Sequence, residues 1–221
     1  MDFASAHSTL RLKLFHTKHF DIKWIKFLMK RICVFIGSDM GARPDYLLCA
    51  KQLATEIVER DLELVYGAAK VGLMGVLADA VLELGGRVIG VVPEGLTQKE
   101  IVHDGLTELR VVSSMHERKA QMAELSSGFV TLPGGIGTLE ETCEILTWAQ
   151  VGIHKKPCGL LNVCGYYDHL IAHLDNMVEQ GFFREVHRSL LVVKDDPKQL
   201  LDSLESFQPP DFKRWMTETE S

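Results

Sequence analysis

The sequence has no unbroken apolar run of about 18 residues, so no segment reads as a membrane-spanning helix. It has no CxxC pair. Its five cysteines (Cys33, Cys49, Cys143, Cys158 and Cys164) are scattered, mostly within apolar segments. An odd count without a framework predicts reduced, buried thiols in a reducing compartment. Nine histidines form no HExxH and no matched His/Cys spacing, which leaves a zinc site without support. A GxSxG elbow is missing, which weighs against a serine hydrolase. Neither GxGxxG nor the Walker pattern occurs, so ordinary dinucleotide and nucleoside triphosphate sites lose weight. Positive charge is also short: 24 Lys and Arg stand against 30 Asp and Glu, a net charge of −6. That excludes a long nucleic-acid track but leaves room for a small anion at a local positive site.

What is present suits one soluble domain. The 221 residues are 46% hydrophobic and 24% charged, enough to bury a core. Residues 1–30 differ from the rest: they are basic, carry His7, His16 and His19, and lack a clean apolar stretch, so they do not read as a secretory signal. Three readings of this extension stay open: a poorly ordered tail, an organelle presequence, or a leader preceding a natural start at Met29. The domain is expected over 31–208, with a C-terminal tail over 209–221, in a cytoplasmic protein unless residues 1–30 direct it elsewhere.

From residue 31 the chain alternates strand and helix. RICVFIG, LELVYG, RVIGVVP, LRVVS, GFVTLPGG, KPCGLLNV and SLLVV read as strands. Helices are predicted from Pro44, from about Val71 to Gly85, over MHERKAQMAEL, over TLEETCEILTWAQVG, over YYDHLIAHLDNMVEQG and around 197–207. Several strands are apolar without alternation, as when helices cover both faces of a parallel sheet. The fold class is therefore α/β, a Rossmann-like doubly wound sheet. In such sheets ligands bind beyond the carboxyl ends of the strands, here the loops at 37–43, 67–70, 93–100 and 133–138.

PGGIGTLEE, Pro133 to Glu141, runs from a strand into a helix. Gly134, Gly135 and Gly137 are expected to permit positive φ and close approach to a ligand. Thr138 is expected to start the helix, whose free N–H groups favour a phosphate. Thr138 with Glu141 also spells a capping box, which by itself would explain both residues. Against that, Glu141, Ile145 and Trp148 share one helical face, while Glu140 and Glu144 form a more polar stripe. A carboxylate bordering an apolar face is a catalytic candidate whose pKa burial would raise and a nearby Arg would lower. In MHERKAQM, Arg118 shares a face with Met115 and Met122, and an inward guanidinium needs an anion: a ligand phosphate, or Glu141. A structural ion pair is the alternative. His116 and Glu117 are expected to face solvent. Gly37 and Ser38 in GSDMG, and the glycines of GAAKVGLMG, could also touch a ligand.

Taken together, these segments resemble the LOG family, the cytokinin-activating phosphoribohydrolases, whose hallmark is PGGxGTxxE. The likeness extends through YGAAKVGLMG, the MHERK helix and TWAQVGIHKKPCGLLNVCGYYD, roughly residues 31–195. It implies cleavage of an N6-substituted adenosine 5′-monophosphate, or of AMP, to free base and ribose 5-phosphate by a homodimer, with no cofactor and no metal. Carried over by motif, Gly134, Gly135, Gly137 and Thr138 would hold the 5′-phosphate, Arg118 and Glu141 would be catalytic, and Lys119 would assist. Gly37, Ser38 and Met115 would line the substrate site. The family's GSS turn is GSD here, and its YGGG is YGAA, placing Ala68 and Ala69 at glycine positions. The "lysine decarboxylase" label often given to such proteins is set aside, since no recognisable pyridoxal phosphate site is present. Two rivals remain: a nucleotide-binding or carrier protein without hydrolase activity, and a general AMP nucleosidase. The pairing of Arg118 with Glu141 argues against a carrier, which needs only the phosphate loop. An apolar pocket that could separate cytokinin nucleotides from AMP would draw on Trp148, Met115 or Met122. A partner subunit is expected to pack on the helix over 138–151.

Overall fold

The first strand, β1 (Arg31–Phe35), alternates Ile32 and Val34 with Cys33 and Phe35, and all four are buried. A strand apolar on both sides must lie inside a sheet covered on both faces. The computed structural model, which describes residues 29–97 and 101–212, places it so. Residues 1–28, 98–100 and 213–221 lie outside the described residues, and with them the expectations for most of the extension, the end of the 93–100 loop and the end of the tail.

After β1 come α1 (Pro44–Glu59), β2 (Glu63–Tyr66), α2 (Gly72–Glu83), β3 (Arg87–Pro93), the one-turn α3 (Glu94–Thr97) and β4 (Glu108–Val112). The second half runs α4 (Met115–Leu125), β5 (Gly128–Thr131), α5 (Ile136–Val151), β6 (Cys158–Leu161) and a short 3-10 turn (Val163–Gly165). Then follow α6 (Asp168–Glu179), α7 (Glu185–Arg188), β7 (Leu191–Lys194) and α8 (Pro197–Glu205). Pro44 starts α1 as expected, at a position where a missing N–H costs nothing.

Seven strands form one sheet in the order β4-β3-β2-β1-β5-β6-β7, and every pairing is parallel. The doubly wound α/β reading holds. One face carries α1, α2 and α8, packed through Leu53, Ile57, Leu77 and Leu201 onto Ile32, Val34, Leu64 and Val130. The other carries α4, α5 and α6 over Cys33, Phe35, Val65, Ile89 and Phe129. Each fully buried Leu or Ile in these layers stabilises the fold by roughly 1.5–3 kcal/mol relative to exposure. The chain runs outward from β1 to β4, then returns to place β5 on the other side of β1. The loops after β1 and β5 therefore diverge around a crevice, the usual ligand position in such a sheet.

The expectation of five buried thiols needs correction. Cys33, Cys49 and Cys158 are buried, but Cys143 and Cys164 are exposed. Cys143 falls on the outer side of α5 and Cys164 in the turn after β6, and neither surface is covered within the described chain.

Candidate active site

The crevice holds a cleft of about 360 Å³. Its floor is Val34 and Ile36 of the β1 end, and Ser38 and Gly67 follow from the next turns. Met74 of α2 and Arg118 and Met122 of α4 form one wall. Gly135, Ile136, Gly137, Thr138 and Glu141 form the other. Four segments far apart in sequence thus meet at one end of the sheet.

The glycine loop differs in detail from its sequence reading. Helix α5 begins at Ile136, with Gly135 as its N-cap, so Thr138 lies in the first turn and the Thr138–Glu141 capping box does not form. Positive φ is not what the glycines supply, since Gly134, Gly135 and Gly137 are not among the residues that adopt it. What they supply is space. A Cβ at Gly134 would overlap the Thr138 hydroxyl, whereas at Gly135 and Gly137 a side chain would meet nothing and would project into open space. The amides of Ile136, Gly137 and Thr138 have no acceptor within the helix, since its first bond joins the Leu139 N–H to the Gly135 carbonyl. Three donors and the positive end of a 16-residue helix dipole make this wall an anion site. Gly37 does not line the cleft; its N–H donates to the Pro133 carbonyl at 3.2 Å and ties the two diverging loops together.

Facing that wall is a buried pair. Arg118 Nη1 lies 3.4 Å from Glu141 Oε1, with the two side chains 12% and 15% exposed. The contact is an ion pair at the outer edge of hydrogen-bonding range, because Arg118 is committed elsewhere: Nε donates to the Val91 carbonyl at 3.1 Å and Nη1 to Met115 Sδ at 3.2 Å. Burial accordingly pushes the Glu141 carboxyl above the ordinary carboxylate range, with Arg118 opposing it and Glu140 reinforcing it. Gly67 makes room for the pair, since a Cβ there would overlap the Arg118 guanidinium.

Lys119 stands beside the cleft rather than lining it. Its ammonium bonds Glu140 at 2.6 Å and Glu144 at 3.0 Å, and it is not among the residues lining the cleft. It staples α4 to α5 directly beside Arg118 and Glu141. Burial pulls its pKa down, but the two carboxylates outweigh that and hold it above the usual lysine value. A Schiff-base lysine must present a neutral amine, so Lys119 does not fit pyridoxal phosphate. Met115 is half-exposed and touches Arg118 through sulfur rather than lining the cleft, and Trp148 is partly buried and packs against the core on the α5 side. Of the three apolar candidates only Met122 reaches the cleft. His116 and Glu117 are exposed, as expected, and Glu117 also caps its helix. Its N–H donates to Ser114 Oγ at 3.2 Å and its carboxylate accepts from the Ser113 N–H at 2.8 Å, capping α4.

Sequence reasoning passed over Met74, Val34 and Ile36, whose signal was only their position at strand ends and at a helix start. It also passed over Ile136, between two glycines of the loop, which lines the cleft and is 82% exposed.

A parallel doubly wound sheet with an open helix N-terminus at its switch point defines a protein of the Rossmann-like fold class. A family model described as "Possible lysine decarboxylase" matches residues 74–204. Among curated proteins, cytokinin riboside 5′-monophosphate phosphoribohydrolase LOG7 of Arabidopsis thaliana is 47% identical over 184 residues, covering 83% of this chain and 85% of that protein. LOG5 of the same plant is 48% identical over 185 residues, 84% of this chain and 81% of its own. The chain belongs to this phosphoribohydrolase family, the LOG family. Solved structures share the fold: the molybdenum cofactor carrier protein of Chlamydomonas reinhardtii aligns with a TM-score of 0.60 at 21% identity, covering 80% of this chain and 96% of that one. The molybdenum cofactor binding protein of Rippkaea orientalis gives 0.58 at 22% identity, with the same coverage. Among the described residues no helix is long and apolar enough to cross a membrane.

Proposed function

We propose that the protein hydrolyses the N-glycosidic bond of adenosine 5′-monophosphates, N6-substituted or plain, releasing the free base and ribose 5-phosphate. The observation that carries this reading is the buried Arg118–Glu141 pair facing an anion-binding helix N-terminus across one cleft. The relatives' activity, at 47–48% identity over more than four-fifths of the chain, supports it.

The 5′-phosphate binds the first-turn amides of α5, and this remote binding energy holds the ribose against Glu141. Breaking the C–N bond develops positive charge on the ribose and negative charge on the departing base. Glu141 faces the former, stabilising it or orienting the attacking water, and Arg118 binds ribose or the leaving base. A carrier would need the amide cradle but gains nothing from burying a carboxylate beside it, so the pair favours hydrolysis over the carrier reading. The family resemblance supports a homodimer, with the outer side of α5 as the expected contact; sedimentation tests that.

Chromatographic product analysis tests the activity. Purified protein is incubated with AMP, with isopentenyladenosine monophosphate and with the matching nucleoside. Free base should form from the monophosphates and not from the nucleoside, and the two rates rank cytokinin activation against AMP turnover. Nucleotide binding without base release would return the carrier reading.

A further inference from the structure

Two consecutive tyrosines reach the glycine loop from the turn after β6. Tyr167 Oη donates to the Leu132 carbonyl at 2.8 Å, and Tyr166 Oη donates to the Gly134 carbonyl at 2.6 Å. Both are braced. The Tyr166 ring packs edge-on against Tyr46 at 5.6 Å and against Tyr167 at 4.8 Å between centroids. Asn162 fixes the turn, accepting from the Tyr167 N–H at 2.7 Å and donating to Asp168 at 2.7 Å. Cys164 and Gly165, at φ 52° and 72°, turn the chain so that the two tyrosines follow at once. Burial pushes the Tyr167 phenol up, so it stays a donor through the neutral range.

A carbonyl and the N–H after it share one rigid plane and point in opposite directions when the peptide is trans. No described peptide bond is cis. Holding the Gly134 carbonyl on Tyr166 therefore fixes the direction of the Gly135 N–H. Gly135 lines the cleft and Tyr166 does not. A peptide between two glycines has no side chain to hinder its rotation, so without an outside partner it would sample many orientations. We propose that Tyr166 is a positioning residue for phosphate recognition: its hydroxyl orients the Gly134–Gly135 peptide so that the Gly135 amide joins the first-turn amides of α5 at the anion. This rests on the phosphate-loop reading above.

Tyr166→Phe keeps the ring and its two edge contacts and removes only the hydroxyl. The probes are ribose 5-phosphate and inorganic phosphate, titrated calorimetrically into the full chain, with adenosine as a phosphate-free competitor of AMP turnover. Losing one oriented donor weakens both phosphate ligands about 5- to 10-fold and raises KM for AMP by a similar factor. Adenosine inhibition and the thermal midpoint should stay unchanged. Undiminished affinity for ribose 5-phosphate in the variant, or a loss shared equally by adenosine, overturns the proposal. A wild-type protein that binds neither phosphate ligand overturns the phosphate-loop reading and the clamp together, whereas tight binding by both forms removes the clamp alone.

Discussion

Replacing Glu141 with Gln should make the protein more stable and nearly inactive at once. The carboxylate is 15% exposed, and the cations facing it, Arg118 at 3.4 Å and, to a lesser degree, Lys119, do not offset the loss of hydration. Its folded-state pKa therefore lies above the unfolded value. Between those two values the native state holds more protons than the unfolded chain. The contribution of Glu141 to stability is thus complete below the ordinary carboxylate pKa and is lost as pH rises through the raised one. As pH rises through that raised value the wild type takes on the cost of a buried charge, and the amide does not. Arg118 keeps the Val91 carbonyl and gains an amide oxygen in place of the carboxylate, which offsets part of the loss of its anion. The gain should be about 0.5–2 kcal/mol, the usual size for relieving a strained active-site group. For a domain of this length that is a rise of several degrees in the thermal midpoint, about 2–4 °C per kcal/mol. Urea unfolding at pH 8 and at pH 4 reads it directly: the variant should lead at pH 8, and the difference should shrink at pH 4. Base release from AMP, followed by chromatography, should fall by at least about 100-fold, the lower range for removing a positioned acid–base group. A variant that is less stable at pH 8, or one that still turns over, would refute the argument that burial sets this residue's state.

Two further outcomes follow from the same geometry. Gly67→Ala should displace the Arg118 guanidinium, a flexible side-chain end, rather than the backbone; kcat should drop at least about 10-fold, on the scale of misplacing a positioned group, while the urea midpoint barely moves. His187 is buried against Phe183 and Phe212, and burial, then Arg184, lowers its pKa. The native state thus holds fewer protons than the unfolded chain below the ordinary histidine value, so stability should fall as pH drops from about 6.5 and His187→Gln should flatten that limb in pH-dependent denaturation.

The sheet was legible because strands such as RVIGVVP carry apolar residues on both faces, a pattern few other structures need. Pro133–Glu141 stood out for a similar reason: glycines bunched between a strand and a helix have few local explanations. Local spacing misled where two answers shared it. Thr138 and Glu141 have capping-box spacing, but the helix starts two residues earlier because Gly135 can serve as N-cap. The capping pair that does form is Ser114 with Glu117, which shares the same three-residue spacing. Lys119 reads as an active-site cation until α5 is laid beside α4, and Glu140 and Glu144 claim it. No spacing rule could have placed Tyr166 on Gly134, since that contact spans 32 residues and depends on β6 pairing with β5.

The strand order has a consequence for how the protein comes into being. β1 pairs with β2 at once, but its other edge waits for β5, almost a hundred residues later, and the tyrosines arrive only after β6. Until that return the cleft has one wall, and neither the anion site nor its tyrosine brace is in place. Such distant pairings are slow, because the closure of a long loop precedes any reward. A nucleotide is therefore a ligand for the finished molecule alone. It would add about 2.7 kcal/mol at a concentration of about 100 Kd, and would do so only by slowing the way back to the unfolded chain.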